Sequence, residues 1–168
     1  MFELKSLTTG AITAALEKAH RYRLLNEPEQ AQSICEDVLR IDSQNQEALT
    51  TLLLALTDRF ADARPVPPQA ARALLPRLVG EYERAYYAGL IAEREGVAWL
   101  SSDKPRSGEA AYVCFREAMA HYEQAEALRP PANDDALLRW NSCARMIMNH
   151  PDIAPADETT GHPAHFGD

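Results

Sequence analysis

Glycine is scarce in this chain, 7 in 168 residues, which leaves no material for a glycine-rich phosphate loop of the Walker or dinucleotide kind. Cysteine is scarcer still. Cys35, Cys114 and Cys143 are far apart and odd in number; this excludes a disulfide scaffold and paired-cysteine metal spacing, and reads as free thiols in a reducing compartment. Positive charge is also short, since 17 Lys and Arg against 25 Asp and Glu leave a net −8. A nucleic-acid binder needs a basic face, so that class of partner is not expected. No apolar run approaches the ~20 residues that cross a bilayer, and no membrane association is expected. Met1 to Leu7 has Lys5 as its one side-chain cation and no continuous apolar core, so it does not read as a signal peptide. Alternating runs of β-branched or aromatic residues are missing, and with them any expected strand.

What is present is a chain of 46% apolar and 25% charged residues, ordinary for a globular protein and long enough for one domain with a real core. Ala, Leu, Glu, Gln and Arg dominate, and all favour helix. The expected class is all-α, in the cytoplasm. An Ala- and Arg-rich style, 14 Arg against 3 Lys, suggests a bacterial source.

Apolar residues at three- and four-residue steps predict seven helices. The first runs over 9–25 with Ile12, Ala15, Leu16, Ala19 and Tyr22 inward. Pro28 opens the second, which carries Ala31, Ile34, Cys35, Val38, Leu39 and Ile41 and stops at Asp42-Ser43-Gln44-Asn45. The third spans 46–60. Pro65, Pro67 and Pro68 interrupt, and a fourth starts near Gln69, with a kink or late start at Pro76. Later helices are expected over 81–100, 109–128 and from an Asn133 or Asp134 cap to Asn149. Residues 1–150 form the predicted domain. The rest, 151–168, reads as a disordered acidic tail: Asp152, Asp157, Glu158 and Asp168 with no Lys or Arg.

Helices joined by tight turns invite a search for a period near ~34 residues, and Ala14 and Ala48 stand 34 apart. Within the first unit come Ala19, Tyr22, Ala31, Val38, Leu39 and Ile41, then the turn at Asp42 to Asn45. This pattern resembles the tetratricopeptide-repeat family. The resemblance covers residues 11–145, closely in the first unit and loosely afterwards. Leu53 stands where a small residue belongs, Pro65 to Pro68 are inserted, and Gly89 takes the small position in the third unit, with Phe115 or Tyr122 on its partner helix. The resemblance implies an α-solenoid of about three antiparallel helix pairs with the last helix as a C-terminal cap. It also implies contact between Ala19 and Ala31 across the first pair.

Reactive constellations fare less well. Cys35 with His20 and Asp37 has the composition of a nucleophile, base and orienter, but Cys35 lies on an apolar stripe where a buried thiol is the ordinary outcome. His150, His162 and His165 near Asp152 and Asp157 have metal-ligating chemistry without preorganisation. The charge alternation at Glu81, Glu83, Arg84 and Glu93-Arg94-Glu95 reads as a solvated, salt-bridged face. No enzyme, metal or cofactor is therefore expected.

In tetratricopeptide stacks the first helix of each pair lines the concave surface. Groove positions implied here are Leu16, His20, Arg23, Thr50, Thr51, Leu54, Asp58, Tyr86, Tyr87, Leu90 and Glu93. The subclass that grips C-terminal carboxylates needs Lys, Asn and Arg donors; the corresponding positions hold Leu16, His20, Thr51, Glu83 and Tyr87. That subclass is not expected. The function expected is a non-catalytic scaffold binding a protein or peptide through this groove, with Tyr86, Tyr87 and Arg23 as anchors. The aromatics Tyr82, Tyr86, Tyr87, Tyr112 and Tyr122 read first as core filling between long helices and otherwise as partly exposed rings lining a groove. The rival function is a homo-oligomeric structural bundle whose aromatics form the self-interface.

Overall fold

A computed structural model describes residues 1–156. Among them there is no strand, and the chain is all-α. A single 3₁₀ turn at Thr9–Ala11 leads into α1, Ile12–Leu24; α2 is Pro28–Ile41, α3 Gln46–Thr57, α4 Pro68–Arg72, α5 Glu81–Leu100, α6 Ser107–Leu128 and α7 Asp135–Asn149. Local chemistry sets several of these limits. Pro28 occupies the first turn of α2, where its missing N–H costs nothing. The Asn45 side chain accepts from Ala48 N at 2.9 Å and caps α3. Asn26 and Ala132 hold left-handed turns before α2 and α7, with φ of 60° and 62°, a conformation natural for Asn and costly for Ala.

Proline acts differently from expectation in the fourth segment. Helix α4 is only five residues long. It ends before Pro76, which sits in a 3₁₀ turn, Leu75–Arg77, and the chain turns extended at Leu78. A proline in the following turn cannot supply the amide that a longer α4 would need. The result is neither a kinked helix nor a late-starting one, but a helix that stops early.

Each helix packs chiefly on its chain neighbour: α1 on α2, α2 on α3, α5 on α6 and α6 on α7. Alternate helices also touch, α1 with α3 and α3 with α5. Two apolar cores result. The first gathers Leu16, Ala19, Ala31, Cys35, Val38, Leu49, Leu53, Leu56 and Leu78, with Ala19 and Ala31 both fully buried. The second gathers Ala111, Phe115, Ala118, Tyr122, Ala125, Ala136 and Cys143. Helix α5 belongs to both, since Ile91 lies in the first and its neighbour Ala92 in the second. Close approach of α5 and α6 depends on Gly89, where an added Cβ would lie 2.7 Å from Cε1 of Tyr122.

The second core does not end at His150, the expected domain limit. Ile153 is 3% exposed and packs with this cluster, and its N–H donates to His150 O at 2.9 Å. Burying one such side chain stabilises by ~1.5–3 kcal/mol, so the folded body extends at least to Ile153. The remainder of the expected tail, 157–168, lies outside the described residues.

Candidate functional site

Helices α1, α3 and α5 bring most of the sequence-predicted groove residues to one face. Arg23 on α1 donates through Nε to Asp58 Oδ2 at 2.7 Å and through Nη2 to Asp58 Oδ1 at 3.2 Å. This forked arrangement on a carboxylate is the strong form of the interaction. Both side chains are about four-fifths buried, with 20% and 19% of their surface exposed. Arg94 on α5 approaches the same Asp58 at 3.8 Å. One carboxylate at the C-cap of α3 thus ties the first helix to the fifth. At the rim, His20 Nε2 lies 3.0 Å from Glu47 Oε1, both side chains well exposed; this is an ion pair only when the imidazole is protonated.

The tyrosines continue this face. Tyr87 is half-buried against the first core, and Tyr86 half-buried against the second. Their rings meet edge to face at 5.3 Å, the geometry aromatic pairs favour. Burial raises the Tyr87 phenol pKa, Tyr86 adds to the shift, and a hydrogen bond with Thr50 opposes it. Tyr86 in turn stacks on Tyr82 at 5.8 Å and tilts against Tyr122 at 5.9 Å. Adjacent positions on one helix diverge by about 100°, which is how the pair reaches both cores while staying partly open.

Not every expected groove residue is accessible. Thr50 and Leu54 are half-buried. Leu16, Thr51 and Leu90 are buried, Leu90 at 1% exposure. Glu93 is 8% exposed: its Oε2 accepts from the Tyr122 hydroxyl at 2.6 Å and its Oε1 from Arg139 at 3.0 Å. Leu90 and Glu93 therefore belong to the interior, and no partner can reach them without unfolding. The solvated-face reading of Glu93 is corrected for the same reason. Its neighbours divide the work, Arg94 joining Asp58 and Glu95 accepting from Arg72 at 2.6 Å. Spacing held the signal: Gly89, Glu93 and Gly96 fall on one helical stripe, and all three are buried. Burial opposes the Arg139 charge, but Glu93 and Tyr86 more than offset it and raise its pKa. Burial likewise drives the Tyr122 phenol up, reinforced by Glu93.

Reactive chemistry gains nothing from the fold at the thiols. Cys35, Cys114 and Cys143 are all buried, and burial pushes each thiol up to about 12. A thiol so raised is protonated at neutral pH and inert as a nucleophile. His20 and Asp37, its imagined helpers, face Glu47 and Arg40 instead. Among the described residues, no group of three or more His, Cys, Asp or Glu could hold a metal ion; the tail histidines His162 and His165 lie outside them. Also among the described residues, no helix is long and apolar enough to cross a membrane.

A feature absent from the sequence reading is a cleft of about 460 Å³ between the proline-rich segment 61–68 and the C-terminal end of α5. Its walls include Phe60, Val66, Pro67, Ala98 and Trp99, with Lys104 at its edge. The Lys104 ammonium stands 5.2 Å from the Trp99 ring centroid, within cation–π range. No family model, curated protein or solved structure matches this chain.

Proposed function

We propose that this protein is a non-catalytic scaffold that binds a protein or peptide partner through the face formed by α1, α3 and α5. In this reading the helices stack as about three tetratricopeptide-like pairs, α1 with α2, α3 with α4 and α5 with α6, and α7 is the terminal cap. The observation that carries it is the row of half-buried groups on alternate helices: Arg23, Thr50, Leu54, Asp58, Tyr86 and Tyr87. Tyr and Arg with one polar and one apolar aspect are the side chains that supply binding energy at protein surfaces. Contact between α1 and α3 and between α3 and α5 supports stacking, as does the small-residue approach of Gly89 to Tyr122. The short α4 departs from the family pattern. Because Arg23 is already committed to Asp58, it acts here by shaping the face, and Tyr86 and Tyr87 become the main anchors.

The self-interface alternative needs its aromatics outside the core, yet Tyr122 is fully buried and Tyr82 stacks within the chain. Two measurements test the proposal. Light scattering at two concentrations is expected to give a monomer mass at both; a tight dimer favours the alternative. Capture from an extract of the native host is expected to retain a protein on the parent chain and lose it on Leu54→Asp, whereas Val113→Asp on the exposed surface of α6 behaves like the parent. Equal retention by both variants contradicts the groove.

A further inference from the structure

Arg94 brings a second guanidinium to a carboxylate that already has one. Both oxygens of Asp58 accept from Arg23, Oδ2 from Nε at 2.7 Å and Oδ1 from Nη2 at 3.2 Å. Arg94 Nη1 stands 3.8 Å from the same Oδ1, near enough for Coulomb attraction and too far for a hydrogen bond. Among the described residues no other carboxylate pairs with Arg94, and its neighbour Glu95 accepts from Arg72 at 2.6 Å. The Arg94 side chain is 36% exposed, so its N–H donors are open to an incoming acceptor.

Helical spacing sets this cation in line with the apolar part of the face. Leu54 precedes Asp58, the C-cap of α3, by four residues, and Tyr87 precedes Arg94 by seven on α5; each pair shares one stripe of its helix. Burial raises the Tyr87 phenol pKa, and Arg23 is near enough to oppose that shift. The local charge is therefore Arg23 and Arg94 against Asp58, a surplus of one cation. Glu47 and Glu83 stand eleven residues before Asp58 and Arg94, about 16 Å back along each helix. That is beyond the Debye length of ~8 Å at physiological salt, so neither cancels the surplus.

We propose that the partner of this face presents a carboxylate, from Asp or Glu, to Arg94, beside an apolar residue seated on Leu54 and Tyr87. The inference rests on the scaffold reading and adds the chemistry of what is bound. A surplus of one positive charge is neutralised by one carboxylate, whereas a phosphate dianion would bring a second negative charge against Asp58. The planar guanidinium also suits a carboxylate through its paired N–H donors. Spacing then defines the motif. Tyr87 and Arg94 lie about 10 Å apart along α5, which an extended chain covers in about three residues. The acid and the apolar anchor of the partner are separated by that interval.

Random-sequence peptides displayed on phage and selected on the full chain are the probe. Selected sequences are expected to share an Asp or Glu about three residues from an apolar anchor. In a synthetic copy, exchanging that acid for its amide is expected to weaken binding about tenfold. Arg94→Ala, with unchanged helical circular dichroism, is expected to cost the same. The amide exchange then costs nothing further in that variant, as a double-mutant cycle requires of a direct pair. Arg94→Lys keeps the charge and loses less. Phosphoserine in place of the acid is expected to bring no gain; tighter binding would assign the site to phosphate and overturn the carboxylate. Peptides that carry no acid, or that weaken in Tyr87→Ala but not in Arg94→Ala, overturn the inference and leave the groove standing. Peptides held equally by the parent and both variants, or a selection that enriches no sequence, overturn the groove and the inference together.

Discussion

The two halves of the helical body are held by different physics. From α1 to α4 the interior is almost wholly hydrocarbon, built on Leu16, Val38, Leu49, Leu53 and Leu56 with the small Ala19 and Ala31 between helices. Its ion pairs lie outside this apolar interior, half-buried as Arg23 with Asp58 or exposed as His20 with Glu47. Its one buried hydroxyl without a partner is Thr51 Oγ1. From α5 to α7 a carboxylate lies inside. Glu93 of α5 binds Tyr122 of α6 and Arg139 of α7 at once. A hydrocarbon interface gains energy in several nearby registers, whereas a satisfied buried polar group fixes one. The C-terminal half is therefore the more specified in geometry, and Tyr86, packed on Tyr122 beside this network, inherits a fixed position from it.

Glu93→Ala is the largest test of that contrast. It leaves the buried Tyr122 hydroxyl without an acceptor and strips Arg139 of its carboxylate. Arg139 is 36% exposed and can turn to water, which moderates the loss, so the expected destabilisation is about 3 kcal/mol by urea titration. Glu93→Gln keeps an acceptor for Tyr122 and is expected to lose less. Equal stability of parent and Glu93→Ala would remove the distinction between the halves.

In the first half the corresponding test is steric. Ala31 is fully buried, and Ala31→Phe is expected to overpack the first helix pair at a cost of ~1–3 kcal/mol, read as a lower melting temperature. An unchanged melting temperature would mean that α1 and α2 do not pack through this small residue. The smallest effect has the opposite sign. Thr51→Val removes a buried hydroxyl that has no partner and is expected to raise stability by about 1 kcal/mol. A loss on denaturant unfolding would show that Thr51 is satisfied in solution.

Most helix limits were legible because local chemistry writes them. Pro28, Asn45 and the pair Pro130-Pro131 mark ends that the structure places within a residue or two. Apolar spacing likewise located the buried faces around Ala19, Ala31, Phe115 and Tyr122. What escaped depends on residues distant in sequence. Glu93 looked solvated beside Arg94 because its partners, Tyr122 and Arg139, stand 29 and 46 positions away. Ile153 is a lone apolar residue with no period to announce it, and only its packing into the second core buries it. The cleft joins segment 61–68 to the end of α5, a pairing that no local pattern encodes. Of the groove, the helices were legible but the depth was not: Tyr86 and Tyr87 stay partly open, while Leu90 and Glu93, one turn further along α5, are sealed.

The proposed scaffold role requires that the α1, α3 and α5 face bind a partner. The decisive measurement is calorimetric titration of the captured partner into parent, Tyr87→Ala and Val113→Ala chains, each verified as folded by circular dichroism. Tyr87→Ala is expected to lose about 2 kcal/mol of binding free energy, roughly thirtyfold in affinity, while Val113→Ala, on the exposed surface of α6, binds like the parent. A folded Tyr87→Ala chain that binds with the parent's affinity contradicts the groove.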